Sequence, residues 1–128
     1  MSNEERVKYW LDSAVETREV ANESYTSKHY DWAFFQWHLA IEKLFKGIIS
    51  KKDDTPIFTH DLLKLAKQAG IPLSQLQQDW LNEITTYSID ARYDDYKRSF
   101  YKKVTEKVYR EKWQALCEEV FVWLQNKF

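Results

Sequence analysis

Residues 30–48 read YDWAFFQWHLAIEKLFKGI, and we expect the rest of the chain to pack around this stretch. Its large apolar side chains recur at spacings of three and four residues, which is the period of one helix face. They are Tyr30, Ala33, Phe34, Trp37, Ile41, Leu44, Phe45 and Ile48. This stripe is the strongest in the sequence and predicts a central helix beginning near residues 27–31. Gly47 predicts a close helix crossing or an early helix end, because glycine destabilises a helix interior by roughly 1 kcal/mol.

The segments on either side of this helix carry start and stop signals of their own. Ser2 and Glu5 have the spacing of a capping box, which predicts a first helix running to about Ser24. After the loop KKDDTP, Thr59 is expected to cap a third helix, with His60 as its first residue. Gly70 and the proline two residues later predict the end of that helix.

The second half of the chain continues the helical pattern. Ser74 and Gln77 form another capping box, which predicts a fourth helix that buries Leu76 and the apolar residues after it. A long fifth helix is expected from about Ser99 to Asn126, bent near Arg110. With only two glycines and two prolines in 128 residues, the sequence predicts one all-α domain over residues 1–128, an up-and-down antiparallel bundle of about five helices.

Charge and targeting signals exclude several function classes. The chain has 19 Lys and Arg against 20 Asp and Glu, so its overall charge does not favour nucleic-acid binding. The start MSNEER lacks the apolar core of a secretory signal, and the single cysteine cannot form an intrachain disulfide. The uncharged apolar stretch at residues 32–41 is half of the roughly 20 residues that a membrane helix needs. We therefore expect a cytoplasmic protein with no membrane span.

The sequence offers few residues for chemistry. Its two glycines stand far apart, so no phosphate-cradling glycine loop is present. The histidines lack metal-binding spacing and one cysteine cannot complete a zinc site, so neither a metal nor another cofactor is predicted. Cys117 is expected to be a buried thiol. His38 and His60 are weak candidates for proton transfer, and a structural role for each is the alternative.

Residues 91–101, ARYDDYKRSFY, are the candidate ligand site. They are expected to connect two helices. Their last residues overlap a basic region, residues 97–112, which has seven basic residues against two acidic ones. Cationic side chains here can hold phosphate, and tyrosine rings can stack on a base. The candidate binding residues are Arg92, Tyr93, Tyr96, Lys97 and Arg98. The alternative is a solvated turn whose aspartates at 94 and 95 neutralise the neighbouring cations.

Three short motifs resemble a known family. HLAIEKLFKGI at 38–48, THDLLKLA at 59–66 and IDARYDDY at 89–96 are together similar to the HEPN domain family, named for higher eukaryotes and prokaryotes nucleotide-binding. The resemblance covers nearly the whole chain. It implies a helical bundle that is commonly a homodimer, often encoded beside a minimal nucleotidyltransferase as a toxin and antitoxin pair.

Several members of the family are ribonucleases that need no metal, in which an Arg and a His four to six residues apart meet across a dimer cleft. Arg92 matches that arginine, but Lys97 stands where the histidine would be, and no histidine follows His60. A lysine with a reference pKa of about 10.4 can hold phosphate but is a poor general base. Residues 91–95 more closely resemble the A-R-Y-P-D sequence of the non-nuclease branch, without its proline.

Within the resemblance, Glu42, Lys43 and Lys46 form an E-K-x-x-K signature. Glu42 and Lys46 have the spacing of an intrahelical ion pair, and the alternative is that they line a phosphate-binding groove together with Arg92. We expect a non-catalytic protein that binds a nucleotide or RNA, with a subunit interface containing Trp123 and the phenylalanines at 121 and 128. The alternative function is a metal-independent ribonuclease that uses Arg92 with His38 or His60.

Overall fold

The structure, a computed structural model, describes residues 1–91 and 94–128, without the side chains at 94 and 95. These residues contain six α-helices. The helices are α1 (Asn3–Thr26), α2 (Tyr30–Lys51), α3 (Leu62–Gln68), α4 (Gln75–Asp90), α5 (Asp94–Thr105) and α6 (Lys107–Gln125). The predicted all-α class is confirmed, but the helices number six in these residues, where about five were expected.

Helix α2 lies at the centre of the bundle, as its apolar stripe predicts. It contacts each of the other five helices and packs along much of its length against α1. Its fully buried side chains include Phe34, Trp37, Ile41, Leu44 and Phe45. The helix continues through Gly47 to Lys51, so the glycine marks a close crossing and not an early end. A Cβ added at Gly47 would lie 2.7 Å from the Phe128 ring and 3.1 Å from the Trp10 Cβ.

The helix starts follow the predicted capping boxes in two cases and differ in a third. Both hydrogen bonds of the box form at Ser2 with Glu5 and again at Ser74 with Gln77. Asp61, and not Thr59, caps α3, since its carboxylate accepts from the N–H groups of residues 63 and 64. Thr59 instead accepts a hydrogen bond from the Asp61 N–H, 3.1 Å away. Its neighbour at position 60 therefore lies in the loop before α3, contrary to the prediction.

The predicted long last helix is divided at Glu106. This residue is the N-cap of α6, and its carboxylate accepts hydrogen bonds from the N–H groups of Val108 and Tyr109. The break lies four residues before the bend expected near Arg110. It also makes the preceding segment a separate helix, α5, that begins at residue 94 and not near residue 99.

Several apolar residues are placed differently from their predicted roles. Leu76, predicted to be buried, is exposed. Phe121, expected at a subunit interface, is fully buried, with its ring beneath the Arg18 guanidinium and 6.2 Å from the Trp37 ring. Trp123 and Phe128 are partly buried against the same core. Over residues 1–91 and 94–128, none of the helices combines the length and apolar character that crossing a membrane requires.

Candidate functional site

A cavity of about 270 Å³ lies where the end of α4 and the start of α5 meet the first turn of α2. The residues that line it are Asp31, Trp32, Ala91, Lys97 and Phe100. Phe100 is almost fully buried and fixes this part of α5 to the core, where its ring lies 5.7 Å from that of Tyr87. Among the residues that the structure describes, the cavity lining therefore combines the exposed Lys97, aromatic surface and the Asp31 carboxylate.

The phosphate-binding residues predicted in the 91–101 stretch lie around this junction, as far as the structure describes them. Arg92 and Tyr93 lie outside the described residues. Tyr96, Lys97 and Arg98 are exposed on the first turns of α5, so this part of the predicted connection is helical. Lys97 lines the cavity, whereas Arg98 is not among its lining residues.

A second, smaller cavity adjoins the first along α5. Its volume is about 110 Å³, and its lining residues are Asp90, Tyr96, Ser99, Phe100 and Lys103. Loss of solvent around the Asp90 carboxyl raises its pKa above the ordinary value, and the charge of Lys103 opposes this shift only in part. Phe100 lines both cavities, so the two form neighbouring parts of one surface on α5.

A polar network holds α5 against α4 and α6. The Lys103 ammonium donates to Glu83 across 3.1 Å and lies over the rings of Tyr87 and Tyr109. The Tyr109 hydroxyl donates to the same Glu83 carboxylate, and the two tyrosine hydroxyls are 2.6 Å apart. Burial and the neighbouring carboxylate raise the pKa of Tyr109, so its hydroxyl stays protonated. The network fixes the position of the helix that carries Lys97.

The weak catalytic candidates form a different cluster, between α2 and the loop before α3. Glu42 accepts hydrogen bonds from His60 Nδ1, at 2.8 Å, and from Lys46 Nζ, at 3.0 Å. His38 Nε2 lies 2.9 Å from the backbone carbonyl of His60 and must donate, because a carbonyl oxygen only accepts. The predicted Glu42 and Lys46 ion pair therefore forms, and it belongs to a larger network that anchors the loop.

Burial separates the roles that the two histidines can take. His38 is fully buried, so its ring cannot contact a substrate. The side chain of His60 is 43% exposed, and its Nδ1 is held by the carboxylate of Glu42. Burial, the largest effect, raises the pKa of Glu42, but the hydrogen bond from His60, the nearby His38 and the bonded Lys46 together outweigh it. The pKa of Glu42 is therefore below its ordinary value, and the carboxylate is ionised at neutral pH.

The two clusters lie far apart on one chain. Glu42 follows Trp32 by ten residues of α2, which corresponds to about 15 Å along the helix. Glu42, Lys46 and His60 therefore do not line the cavity that contains Lys97. Within residues 1–91 and 94–128, the His, Cys, Asp and Glu side chains form no group of three that could hold a metal ion.

Trp32 and Asp31 are residues of the cavity that the sequence did not reveal. Both stand at the start of the apolar run of α2, where a tryptophan is most simply interpreted as part of the core. Trp32 is instead 52% exposed. The signal available in the sequence is its position outside the three-and-four spacing that Ala33, Phe34 and Trp37 follow.

Comparison with known proteins identifies the family. The fold and the cavity define an all-helical domain with a cationic, aromatic site at a helix junction. The family model of the HEPN domain matches residues 7–127, so the chain belongs to the HEPN domain family.

One solved structure shares the fold: TT1696 from Thermus thermophilus is 20% identical, with a TM-score of 0.72 over 96% of this chain and 98% of that one. At this identity the likeness concerns the fold alone. No curated protein sequence shows a significant match to the chain.

Proposed function

We propose that this HEPN domain binds the phosphate of a nucleotide or of RNA at the α4–α5 junction and is not itself catalytic. In this proposal it is a homodimer and the partner of a minimal nucleotidyltransferase in a toxin–antitoxin-like pair. The observation that carries the binding part is the cavity of about 270 Å³ that the exposed Lys97 and Trp32 both line.

The charge of α5 supports phosphate as the ligand. Four basic residues, at positions 97, 98, 102 and 103, follow the two aspartates that begin the helix. Lys97 and Arg98 are exposed, and the sequence places Arg92 immediately before this helix. Ammonium and guanidinium groups make charge-assisted hydrogen bonds to phosphate oxygens, which are stronger than neutral ones.

The placement of the histidines supports a non-catalytic role. His38 is enclosed in the core, and His60 lies about 15 Å along α2 from the Lys97 cavity. Within one chain neither imidazole can reach a phosphate held by Lys97, and lysine itself stays protonated near neutral pH. Neither of these two histidines can therefore transfer a proton at the Lys97 site. The third histidine, His29, is exposed at the N-cap of α2 and is not among the described residues that line the cavity.

Titration with ATP and with a short single-stranded RNA tests the binding proposal. Lys97→Ala and Arg92→Ala should each weaken binding about tenfold, the effect of losing one charged hydrogen bond. They should also reduce the dependence of binding on salt. Lys64→Ala removes an exposed cation from α3 and should leave affinity unchanged. Equal affinity of Lys97→Ala and the wild type would contradict the assignment of this cavity.

The partner and the homodimer need separate measurements. We expect the neighbouring reading frame to encode a small nucleotidyltransferase, and the two proteins should co-purify after co-expression. Light scattering of the isolated protein at micromolar concentration should give the mass of a dimer. A monomer under these conditions, or a nucleotidyltransferase that does not bind, would remove the corresponding part of the proposal.

One observation favours a second function, a metal-independent ribonuclease. Glu42 holds the exposed imidazole of His60 through Nδ1, and a carboxylate orients a general base in this manner in many hydrolases. Such an enzyme would cleave single-stranded RNA in EDTA, and both His60→Ala and Arg92→Ala would abolish cleavage. Intact RNA after prolonged incubation at high protein concentration would exclude this function.

A further inference from the structure

We propose that Trp32 is the platform on which a nucleobase stacks while Lys97 holds the attached phosphate. This inference rests on the proposed function and names the part of the ligand that the site recognises beyond its phosphate. The ligand class is then an unpaired base carrying a phosphate, supplied either by a mononucleotide or by single-stranded RNA.

The side chain of Trp32 is exposed and accessible to a ligand. Its side chain is 52% exposed, although the aromatic residues at positions 34 and 37 of the same helix are fully buried. Its ring lies 5.3 Å from the ring of Phe35 at an interplanar angle of 32°, so a second aromatic side chain supports it from the same helix. The backbone N–H of Trp32 donates to the carboxylate of Asp31 across 2.9 Å, which fixes the backbone at this turn.

The cavity brings this ring together with a cation from a distant part of the chain. Trp32 comes from the first turn of α2 and Lys97 from the first turns of α5, and both line the same space of about 270 Å³. Aromatic rings bind bases of any sequence by stacking, and a neighbouring cation holds the backbone. Proteins that bind unpaired nucleotides use this combination of an aromatic ring and a nearby cation.

The charges in the cavity give the ligand an orientation. Asp31 adjoins Trp32 in the cavity lining, and its carboxylate repels phosphate. The phosphate therefore lies at the Lys97 side and the base at the Trp32 side. Duplex RNA does not satisfy this arrangement, since its bases are stacked on one another and present no free face.

Four ligands and four variants, among them the Lys97→Ala protein, test the proposal. The ligands are ATP, inorganic triphosphate, a short single-stranded RNA and the same RNA in a duplex. Trp32→Ala should weaken binding of ATP or single-stranded RNA by roughly 5- to 150-fold, the contribution of one stacked base, and leave triphosphate binding unchanged. Trp32→Phe should restore part of the affinity. Tyr9→Ala removes an exposed ring from α1 and should change nothing.

The outcomes separate this proposal from the one it rests on. A loss confined to ATP identifies the mononucleotide as the ligand, and a loss confined to the RNA identifies the single strand; both support the platform. Unchanged affinity of Trp32→Ala, with Lys97→Ala still impaired, overturns the platform and leaves the phosphate site standing. Equal losses for triphosphate and ATP also overturn it. Failure of the wild type to bind any of the four ligands overturns both proposals.

Discussion

Substitution of Glu42 by alanine removes a carboxylate that joins α2 to the loop before α3. The residue is 4% exposed and accepts hydrogen bonds from His60 at 2.8 Å and from Lys46 at 3.0 Å. We expect Glu42→Ala to lower the free energy of unfolding and to release the loop. Glu42→Gln retains an oxygen that can accept from His60, and it should have a smaller effect.

The size of the stability loss depends on how exposed to solvent each hydrogen-bonding partner of Glu42 is. A hydrogen bond to a charged group contributes about 1.5–3 kcal/mol, and the bond to His60 belongs at the lower end because its side chain is 43% exposed. The ion pair with Lys46 is an i,i+4 pair, which contributes about 0.3–0.5 kcal/mol. Together they give about 2 kcal/mol for Glu42→Ala, and about 1 kcal/mol is expected for Glu42→Gln.

Urea unfolding followed by circular dichroism measures these differences. The matched control is Glu119→Ala on α6, an exposed carboxylate whose removal should change the stability by less than about 0.5 kcal/mol. A Glu42→Ala protein as stable as this control would show that the hydrogen bonds of Glu42 do not stabilise the fold. Hydrogen exchange adds a local readout, because amide protection near His60 should fall in the Glu42 variant alone.

The same residue predicts a dependence of stability on pH. The pKa of Glu42 is lower in the folded chain than its reference value of 4.5, so the folded state favours the ionised form. Its contribution is fully present above about pH 4.5 and is lost as the pH falls through the lower folded value. The stability difference between wild type and Glu42→Gln should therefore shrink in acid. A difference that stays constant from pH 7 down to strong acid would contradict this linkage.

Further substitutions test a helix crossing, a hydrogen bond and a helix cap. Gly47→Ala should destabilise the protein by about 1–3 kcal/mol through overpacking against Phe128, and Phe128→Ala should relieve part of this loss in a double-mutant cycle. Tyr109→Phe should cost about 1–2 kcal/mol in urea unfolding, since Glu83 then loses a partly buried donor. Glu106→Ala should lower the melting temperature by removing the α6 cap, whereas Glu106→Asp, a better cap, should not.

The sequence reveals most of the architecture because the signals that define it are local. The capping boxes at Ser2 and Ser74 involve residues three apart, and Gly70 adopts the expected positive φ of 71°. The sequence does not predict the division of the last helix, because a glutamate within a run of helix formers favours a continuous helix. Glu106 becomes a cap only once its carboxylate turns back onto the N–H groups of the next turn.

The candidate site is less visible in the sequence because it depends on contacts between distant residues. The Glu42 and Lys46 pair follows from a spacing of four, but the bond from His60 to Glu42 requires the loop to fold back onto α2. Trp32 and Lys97 are 65 residues apart, and only packing of α5 beside the first turn of α2 brings them to one cavity. Tertiary arrangement, which local spacing does not encode, decides which side chains meet.

The most direct test of the central claim is the map of backbone amide chemical shifts on addition of ATP and of short single-stranded RNA. Binding at this junction predicts saturable changes concentrated at residues 31–32 and 96–103, with the amides around Glu42 and His60 little affected. Changes centred on the Glu42 and His60 cluster instead, or no saturable change anywhere, would contradict the assignment of the phosphate site to the α4–α5 junction.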